Sequence, residues 1–195
     1  QAGGFWGSVE DAVKHSPALL EAKWATEVYP AGNPGDIINR KGGKFHALNQ
    51  ALFDSGYVLH LPKGTQVAEP FSADFRTRGG KDGIFPHNLI VLEEGAEAVV
   101  LETYNSADGD AGLCNPQTEI IVGPHARLRY VLIQDLNEKV TNIGAQHVVV
   151  RGHGHCTFAS AHLGAKLSKD FMESEMVEPY GEAILYGLYN GLHAQ

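Results

Sequence analysis

The residues best suited to chemistry sit close together near the end of the sequence. Arg151-Gly152-His153-Gly154-His155-Cys156 is followed by His162. Imidazole nitrogen and thiolate sulfur bind zinc, copper or iron, so this run could hold a metal. Strand alternation argues against that. Neighbouring side chains on a strand point to opposite faces, so His155 and Cys156 are expected to diverge. His153 shares the parity of His155, but Gly152 and Gly154 place it in a turn. The run therefore reads as a core cysteine beside surface histidines. A metal-binding module at His153, His155 and Cys156 is the competing reading. A cupin-type site is excluded, because His147 stands where the glycine ahead of His153 is required and no Glu follows His155 until Glu173.

Other candidates fare no better. Asp108-Gly109-Asp110 begins like a calcium loop but lacks the later ligands and the terminal Glu, so it reads as a solvated loop. Gly79-Gly80-Lys81-Asp82-Gly83 is not a phosphate-binding GxxxxGK[ST] loop, and no GxSxG elbow occurs. Glu93, Glu94, Glu97 and Glu102 read as a solvated face. No catalytic, cofactor-binding or metal-ligating residue is assigned.

The elements that must position these side chains repeat. From Tyr57 onward, five segments align on Thr65, Ala96, Ala126, Gly154 and Gly181, spaced by 31, 30, 28 and 27 residues. A period in this range marks solenoids and arrays. One position past each anchor stand Gln66, Glu97, Arg127, His155 and Glu182, all polar. The next position holds Val67, Ala98, Leu128, Cys156 and Ala183. Two further on come Val100, Tyr130, Phe158 and Leu185, with Glu69 the exception in the first repeat. A second strand precedes each anchor: Leu59-His60-Leu61, Ile90-Val91-Leu92, Ile120-Ile121-Val122, Val148-Val149-Val150 and Glu175-Met176-Val177. Gly95, Gly123, Gly152 and Gly181 fall at the turns, where positive φ is cheapest for glycine. One repeat cannot bury its inward side chains alone, whereas stacked repeats can. An antiparallel sandwich would not need to keep anchor and parity together over every turn. The fold class is therefore mainly β, a β-solenoid.

The N-terminal third differs. Residues 1–29 read as helical, with Ser8 as a cap and Asp11 three residues on. Ser16-Pro17 restarts the pattern, with Leu19, Leu20 and Trp24 on its apolar side. Residues 30–43 form a Pro- and Gly-rich linker. Phe45, Leu48 and Leu52 follow at helical spacing, ending near Gly56. This gives a helical region with loop over 1–55 and the solenoid over 56–195.

With 195 residues, 43% of them hydrophobic, and a net charge of −8, the chain reads as globular. It has no general attraction to nucleic acid or anionic membrane, and its apolar runs are too short for a spanning helix. Cys114 and Cys156 are its only cysteines. With no CxxC they read as reduced thiols in a cytosol-like compartment, with a single disulfide between them as the competing reading. A first residue other than Met fits a processed product or a fragment.

Several stretches carry a family resemblance. They are Lys44-Phe45-His46-Ala47-Leu48-Asn49-Gln50-Ala51-Leu52-Phe53, Tyr57-Val58-Leu59-His60-Leu61-Pro62-Lys63-Gly64, Pro86 through Glu97, Thr118 through Val122, Leu163 through Ser168, and Tyr186-Gly187-Leu188-Tyr189. In order and spacing these resemble the SufB/SufD proteins of the Suf iron–sulfur cluster assembly system. Asn142-Ile143-Gly144-Ala145-Gln146 and Gly164-Ala165-Lys166-Leu167-Ser168 are closer to SufD. The resemblance implies a short helical region followed by a right-handed parallel β-helix, and a cytoplasmic, or in a eukaryote plastid, scaffold rather than an enzyme. Its implied partners are SufB and the SufC ATPase, with a homodimer through the solenoid as another arrangement. No cofactor is implied for this chain, and an iron–sulfur cluster would belong to the assembled complex. The family's SufC-binding and cluster-assembly residues lie in a C-terminal region beyond the matched stretch, so none is carried over and the chain resembles a fragment. The alternative is a β-solenoid polysaccharide lyase or hydrolase, which would need an acidic groove along one outward face.

Overall fold

The computed structural model describes residues 4–15, 43–53, 55–77 and 83–191. Two parallel walls of strands face each other. The first wall carries β2 (Tyr57–Leu61), β5 (His87–Leu92), β8 (Gln117–Val122), β10 (Val140–Val150) and β12 (Leu167–Met176). The second carries β3 (Phe71–Arg76), β6 (Glu97–Asn105), β9 (Arg127–Asp135), β11 (His155–His162) and β13 (Glu182–Tyr189). Within each wall, successive turns pair in parallel. This is a β-solenoid of about five turns. The return loops add two short strands, β4 (Gly83–Ile84) and β7 (Gly112–Cys114). β7 pairs with β4 and with the first residues of β10.

The observed register reproduces the polar column read from the sequence. Gln66, Glu97, Arg127, His155 and Glu182 are successive partners. The apolar column Ala98, Leu128, Cys156 and Ala183 follows one residue later. Two details differ. Val100 pairs with Phe71 rather than Glu69, so the first turn carries a two-residue insertion after Val67. In the last turn, Val148-Val149-Val150 pairs with Ser174-Glu175-Met176, one residue earlier than expected. The extra residue is taken up in the bend before Gly181.

Alternation then divides inside from outside. Leu59, Leu61, Ile90, Leu92, Ile120, Val122, Val148 and Val150 point inward from the first wall, meeting Ala98, Val100, Leu128, Tyr130, Cys156 and Phe158 from the second. The first wall is buried on its outer face too. There Val58, Leu89, Val91 and Ile121 form a second cluster, which explains its runs of β-branched residues with no polar alternation.

The cover of that outer face comes from the N-terminal segment. Phe5–Ser8 forms a strand, β1, where a helix was expected. It pairs antiparallel with β2. Aromatic residues of opposite parity favour this. Phe5 packs into the outer cluster, while the Trp6 ring lies 5.0 Å from Tyr57 and 5.2 Å from Phe71, over the end of the inner core. Helix α1 (Val9–His15) starts as expected. The Asp11 N–H donates to Ser8 Oγ at 3.0 Å, and the Ser8 hydroxyl donates to the Asp11 carboxylate at 2.6 Å. Ala12 and Val9 pack on the outer cluster. The helix expected after Ser16-Pro17, nearly all of the 30–43 linker, and most of the 79–83 glycine run lie outside the described residues. Helix α2 (Gly43–Leu52) stands where Phe45, Leu48 and Leu52 predicted. Its fully buried residues, however, are the polar His46 and Asn49.

The residue before each anchor has positive φ in all five turns: Gly64, Gly95, His125, His153 and Tyr180. Gly123 has no positive φ and is needed for a different reason, since a Cβ there would lie 2.7 Å from the Leu92 carbonyl oxygen. Where glycine is replaced in the positive-φ column, rings stack along it. His125 and His153 lie 4.9 Å apart and His153 and Tyr180 4.7 Å apart, centroid to centroid. Left-handed backbone costs an ordinary residue about 1–2 kcal/mol, and aromatic contact offsets part of that. We predict that His153→Val destabilises the chain by about 1–2 kcal/mol, whereas His153→Gly changes stability by less, because relief of strain compensates lost stacking. Urea unfolding of both variants measures the difference, and equal losses would remove the backbone from the explanation.

Candidate functional site

The histidine and cysteine run near residue 155 does not converge. Cys156 lies in the core. His155 faces outward, with Nδ1 2.8 Å from Glu182 and Nε2 3.1 Å from Thr157. His153 belongs to the ring stack on the turn. Both thiols are free and buried. Burial pushes the Cys156 thiol up to about 12 and raises that of Cys114 further, so neither is a thiolate near neutral pH.

His162 points inward beside Ser168 and Asp170. Ser168 Oγ lies 3.4 Å and Asp170 Oδ2 3.3 Å from the same ring nitrogen, Nδ1. A proton relay needs the nucleophile and the carboxylate on opposite ring nitrogens, so this is no triad. Asp170 is held by Asn142 Nδ2 at 2.8 Å, and burial raises its carboxyl above the ordinary value.

Glu102 was expected on a solvated face and lies instead in the core, fully buried. The cause is parity. Ala98, Val100, Glu102 and Tyr104 alternate on the inward side of β6, so the alternation that placed Ala98 inside also places Glu102. Its partners are hydroxyls. Tyr57 donates to Oε2 at 2.6 Å, Tyr104 to Oε1 at 2.5 Å and Thr118 to Oε1 at 3.3 Å. Asn88 Nδ2 donates to Tyr104 and Thr118, and its Oδ1 accepts from the Tyr57 N–H. Burial raises the Glu102 carboxyl, and the hydroxyl donors hold it back in part. Asp110, also expected to be solvated, is buried. It accepts from Thr77 Oγ1 at 2.7 Å and the Ala107 N–H at 3.1 Å, closing its own loop. Glu93 and Glu94 do lie at the surface, against His60 and Lys63.

A second polar network lies under α2. Asn49 Nδ2 donates to the carbonyls of Pro86 at 3.0 Å and Asn115 at 2.6 Å. That fixes Asn49 Oδ1 as the acceptor facing His87 Nδ1 at 2.9 Å, so Nδ1 carries a hydrogen. His87 Nε2 and Glu119 Oε1 are 2.8 Å apart and both residues are buried. Burial drives the His87 imidazolium down to about 3. The spacing of Asn49 and His46 on α2 holds the signal for this network. It was missed because helical periodicity was read for apolar residues only.

These groups are sealed. What the described residues offer to solvent is surface. The outward column Glu97, Arg127, His155 and Glu182 is mixed in charge and stands beside the column Val99, Arg129, Thr157 and Ile184, not an acidic groove. In the last turn, Met176, Leu185 and Tyr189 lie on inward columns yet are 53%, 42% and 60% exposed.

Comparison with known proteins decides the family. Residues 75–195 match the model for the SufBD core domain of the SUF system of FeS cluster assembly. The chain belongs to the SufBD family. It is similar to an iron-sulfur cluster assembly SufBD family protein of Staphylococcus saprophyticus, with 27% identity over 87% of this chain and 34% of that protein. Counterparts in Staphylococcus epidermidis and Staphylococcus aureus are 27% identical over 88% of this chain and 35% of theirs. The chain thus spans about a third of the length of these SufBD relatives.

Two predictions test the buried networks. Because Glu102 has a folded pKa above its unfolded value, the native state retains a proton that the unfolded chain has released. Its contribution to stability is present below the ordinary carboxyl range and is lost as pH rises through the folded value. Urea unfolding from about pH 4 to about pH 7 is expected to show this slope in the parent chain and to lose it in Glu102→Gln. Identical pH profiles would show that Glu102 binds no extra proton on folding. For α2, Asn49→Ala takes its side-chain donor from the Asn115 carbonyl and the acceptor from His87 Nδ1, while the Pro86 carbonyl keeps the Gln117 N–H, and costs about 1–3 kcal/mol. Amide hydrogen exchange is expected to quicken across residues 43–52 while β9 and β11 stay protected; uniform loss of protection would mean that Asn49 supports the whole fold rather than the helix.

Proposed function

We propose that the chain acts as a SufD-like scaffold in iron–sulfur cluster assembly, pairing with a SufB-like protein and working with a SufC-like ATPase. The observation that carries this is the family match over residues 75–195 laid over a β-solenoid of about five turns whose cysteines and acid networks are buried. The iron–sulfur cluster is then cargo of the assembly, and ATP hydrolysis is the partner's work. Buried free thiols suit a reducing compartment such as the cytoplasm. The segments at 142–146 and 164–168 favour SufD over SufB. The lyase or hydrolase alternative is not favoured, because the outward columns of the second wall mix Arg127 and Arg129 with Glu97 and Glu182 rather than forming an acidic groove.

The full-length protein is expected to co-purify with SufB-like and SufC-like proteins under reducing conditions. Failure to associate with either protein would overturn the proposal.

A further inference from the structure

The ring stack on the turn edge holds a pair of imidazoles with no task inside the fold beyond stacking. His125 and His153 occupy the same column of adjacent turns, each one residue before its anchor and each with φ 57°. Their rings are parallel, with centroids 4.9 Å apart and planes inclined by 4°. Both residues are exposed, and neither ring has an ion pair or a side-chain hydrogen bond. Other histidines are committed. His60, His87, His147, His155 and His162 each lie against a carboxylate.

Two free imidazoles on adjacent turns have the chemistry of a chelating pair. Bonds of about 2.0–2.1 Å to one ion bring two ligand nitrogens to about 3.0–3.4 Å from each other. The backbone conformation is the same at both positions and the rings are parallel, so like edges point the same way. A tilt of the exposed rings about Cβ–Cγ closes the remaining gap. The turns themselves cannot drift apart. The His125 N–H donates to the Gly152 carbonyl at 3.0 Å, and the His155 N–H to the Ala126 carbonyl at 2.9 Å. Tyr180 stacks 4.7 Å from His153 on its next turn and backs that ring, whereas the turn before His125 carries Gly95 in the column and leaves His125 room to move. Glu178 accepts from the Gly152 N–H at 2.9 Å, which brings a carboxylate to the residue before His153.

The pairing differs from the one the sequence suggests. His155 is taken up by Glu182 and Thr157 and Cys156 is buried, so the partner of His153 comes from the preceding turn, 28 residues earlier in the chain. Among the described residues no group of three or more His, Cys, Asp or Glu is placed to hold a metal. A structural zinc site takes four protein ligands; two imidazoles with water in the other positions suit an ion that exchanges.

We propose that His125 and His153 form an open two-imidazole site for a divalent transition-metal ion, with Cu²⁺ bound more tightly than Ni²⁺ or Zn²⁺. The site lies on the turn edge and does not depend on the scaffold reading.

Calorimetric titration of the full chain with Cu²⁺ tests this, with His125→Gly, His153→Gly, the double replacement and His155→Gln measured alongside. Gly64 and Gly95 already occupy this column in the first two turns, so glycine keeps the backbone, and urea unfolding verifies the fold. The parent chain is expected to bind Cu²⁺ saturably, Ni²⁺ and Zn²⁺ more weakly, and Mg²⁺ not to compete. Each single glycine replacement should weaken Cu²⁺ binding by about tenfold or more, because a chelate becomes a single contact. The double replacement should lie within about threefold of either single one, since two ligands of one ion act as a unit. His155→Gln should change the affinity by less than about twofold. Electron paramagnetic resonance of the Cu²⁺-loaded chain should show coupling to two imidazole nitrogens, and to one in either single variant. Absence of saturable Cu²⁺ binding overturns the proposal. So do single replacements that bind as the parent does, or a His155→Gln loss equal to that of His153→Gly, which would put the ion on the His153–His155 run.

Discussion

In-register parallel stacking is the constraint on which the rest of this molecule depends. Each turn hydrogen-bonds to the next along both walls, so a residue's role is set by its column. A slip of one residue would turn every side chain of a strand to the other face. The irregularities in the chain respect this. The insertion after Val67 has two residues and preserves parity through Phe71. The single extra residue of the last turn falls between Met176 and Glu182, in a bend, where no parity is at stake.

Such strictness also forces polar groups inside. Glu102 cannot leave the core without moving Val100 and Tyr104 with it. An uncompensated buried carboxylate costs several kcal/mol. Here the same alternation brings compensation, because Tyr104, two residues on in β6, and Tyr57, from β2, also project inward and aim their hydroxyls at the two carboxyl oxygens. Neutral donors and a raised carboxyl pKa do what a buried cation would otherwise do. Under α2 the solution differs. His87 lies between Glu119 and Asn49, and Asn49 fixes the hydrogen on the far side of the ring.

What could be read from the sequence was whatever depends on the column. The anchors, the polar ladder, the inward Cys156 and the outward His155 all followed from parity and spacing. The misreadings arose where a residue type was allowed to override position. Glu102 was placed outside because it is an acid, although its parity matched Val100. Phe5–Ser8 was read as helix because a helix cap follows it, although Phe5 and Trp6 have distinct surfaces to cover. The buried stripe of α2 was assigned to Phe45, Leu48 and Leu52, whereas the wall beneath presents His87, Gln117 and backbone carbonyls, and polar His46 and Asn49 meet them. A helix buries what its neighbour can satisfy, and that neighbour was not visible from the helix's own periodicity.

The two walls also differ in a way that bears on assembly. The first wall is β-branched on both faces and is sealed by β1 and α1, which follow one another and pack on Val58, Leu89, Val91 and Ile121. Its outer face is spent on the chain itself. The second wall alternates cleanly, with buried residues inward and half-exposed ones outward, and no described helix lies over it. If solvent were its only neighbour, alternation would favour charged residues along the whole outer face, as in the Glu97–Arg127–His155–Glu182 column. Instead the charges stand at the ends of β9 and the middle is Val, Leu and Ala. A charged rim around an apolar centre is the pattern of a recognition surface rather than of a solvated one, and among the described residues it lies on the wall that β1 and α1 do not cover.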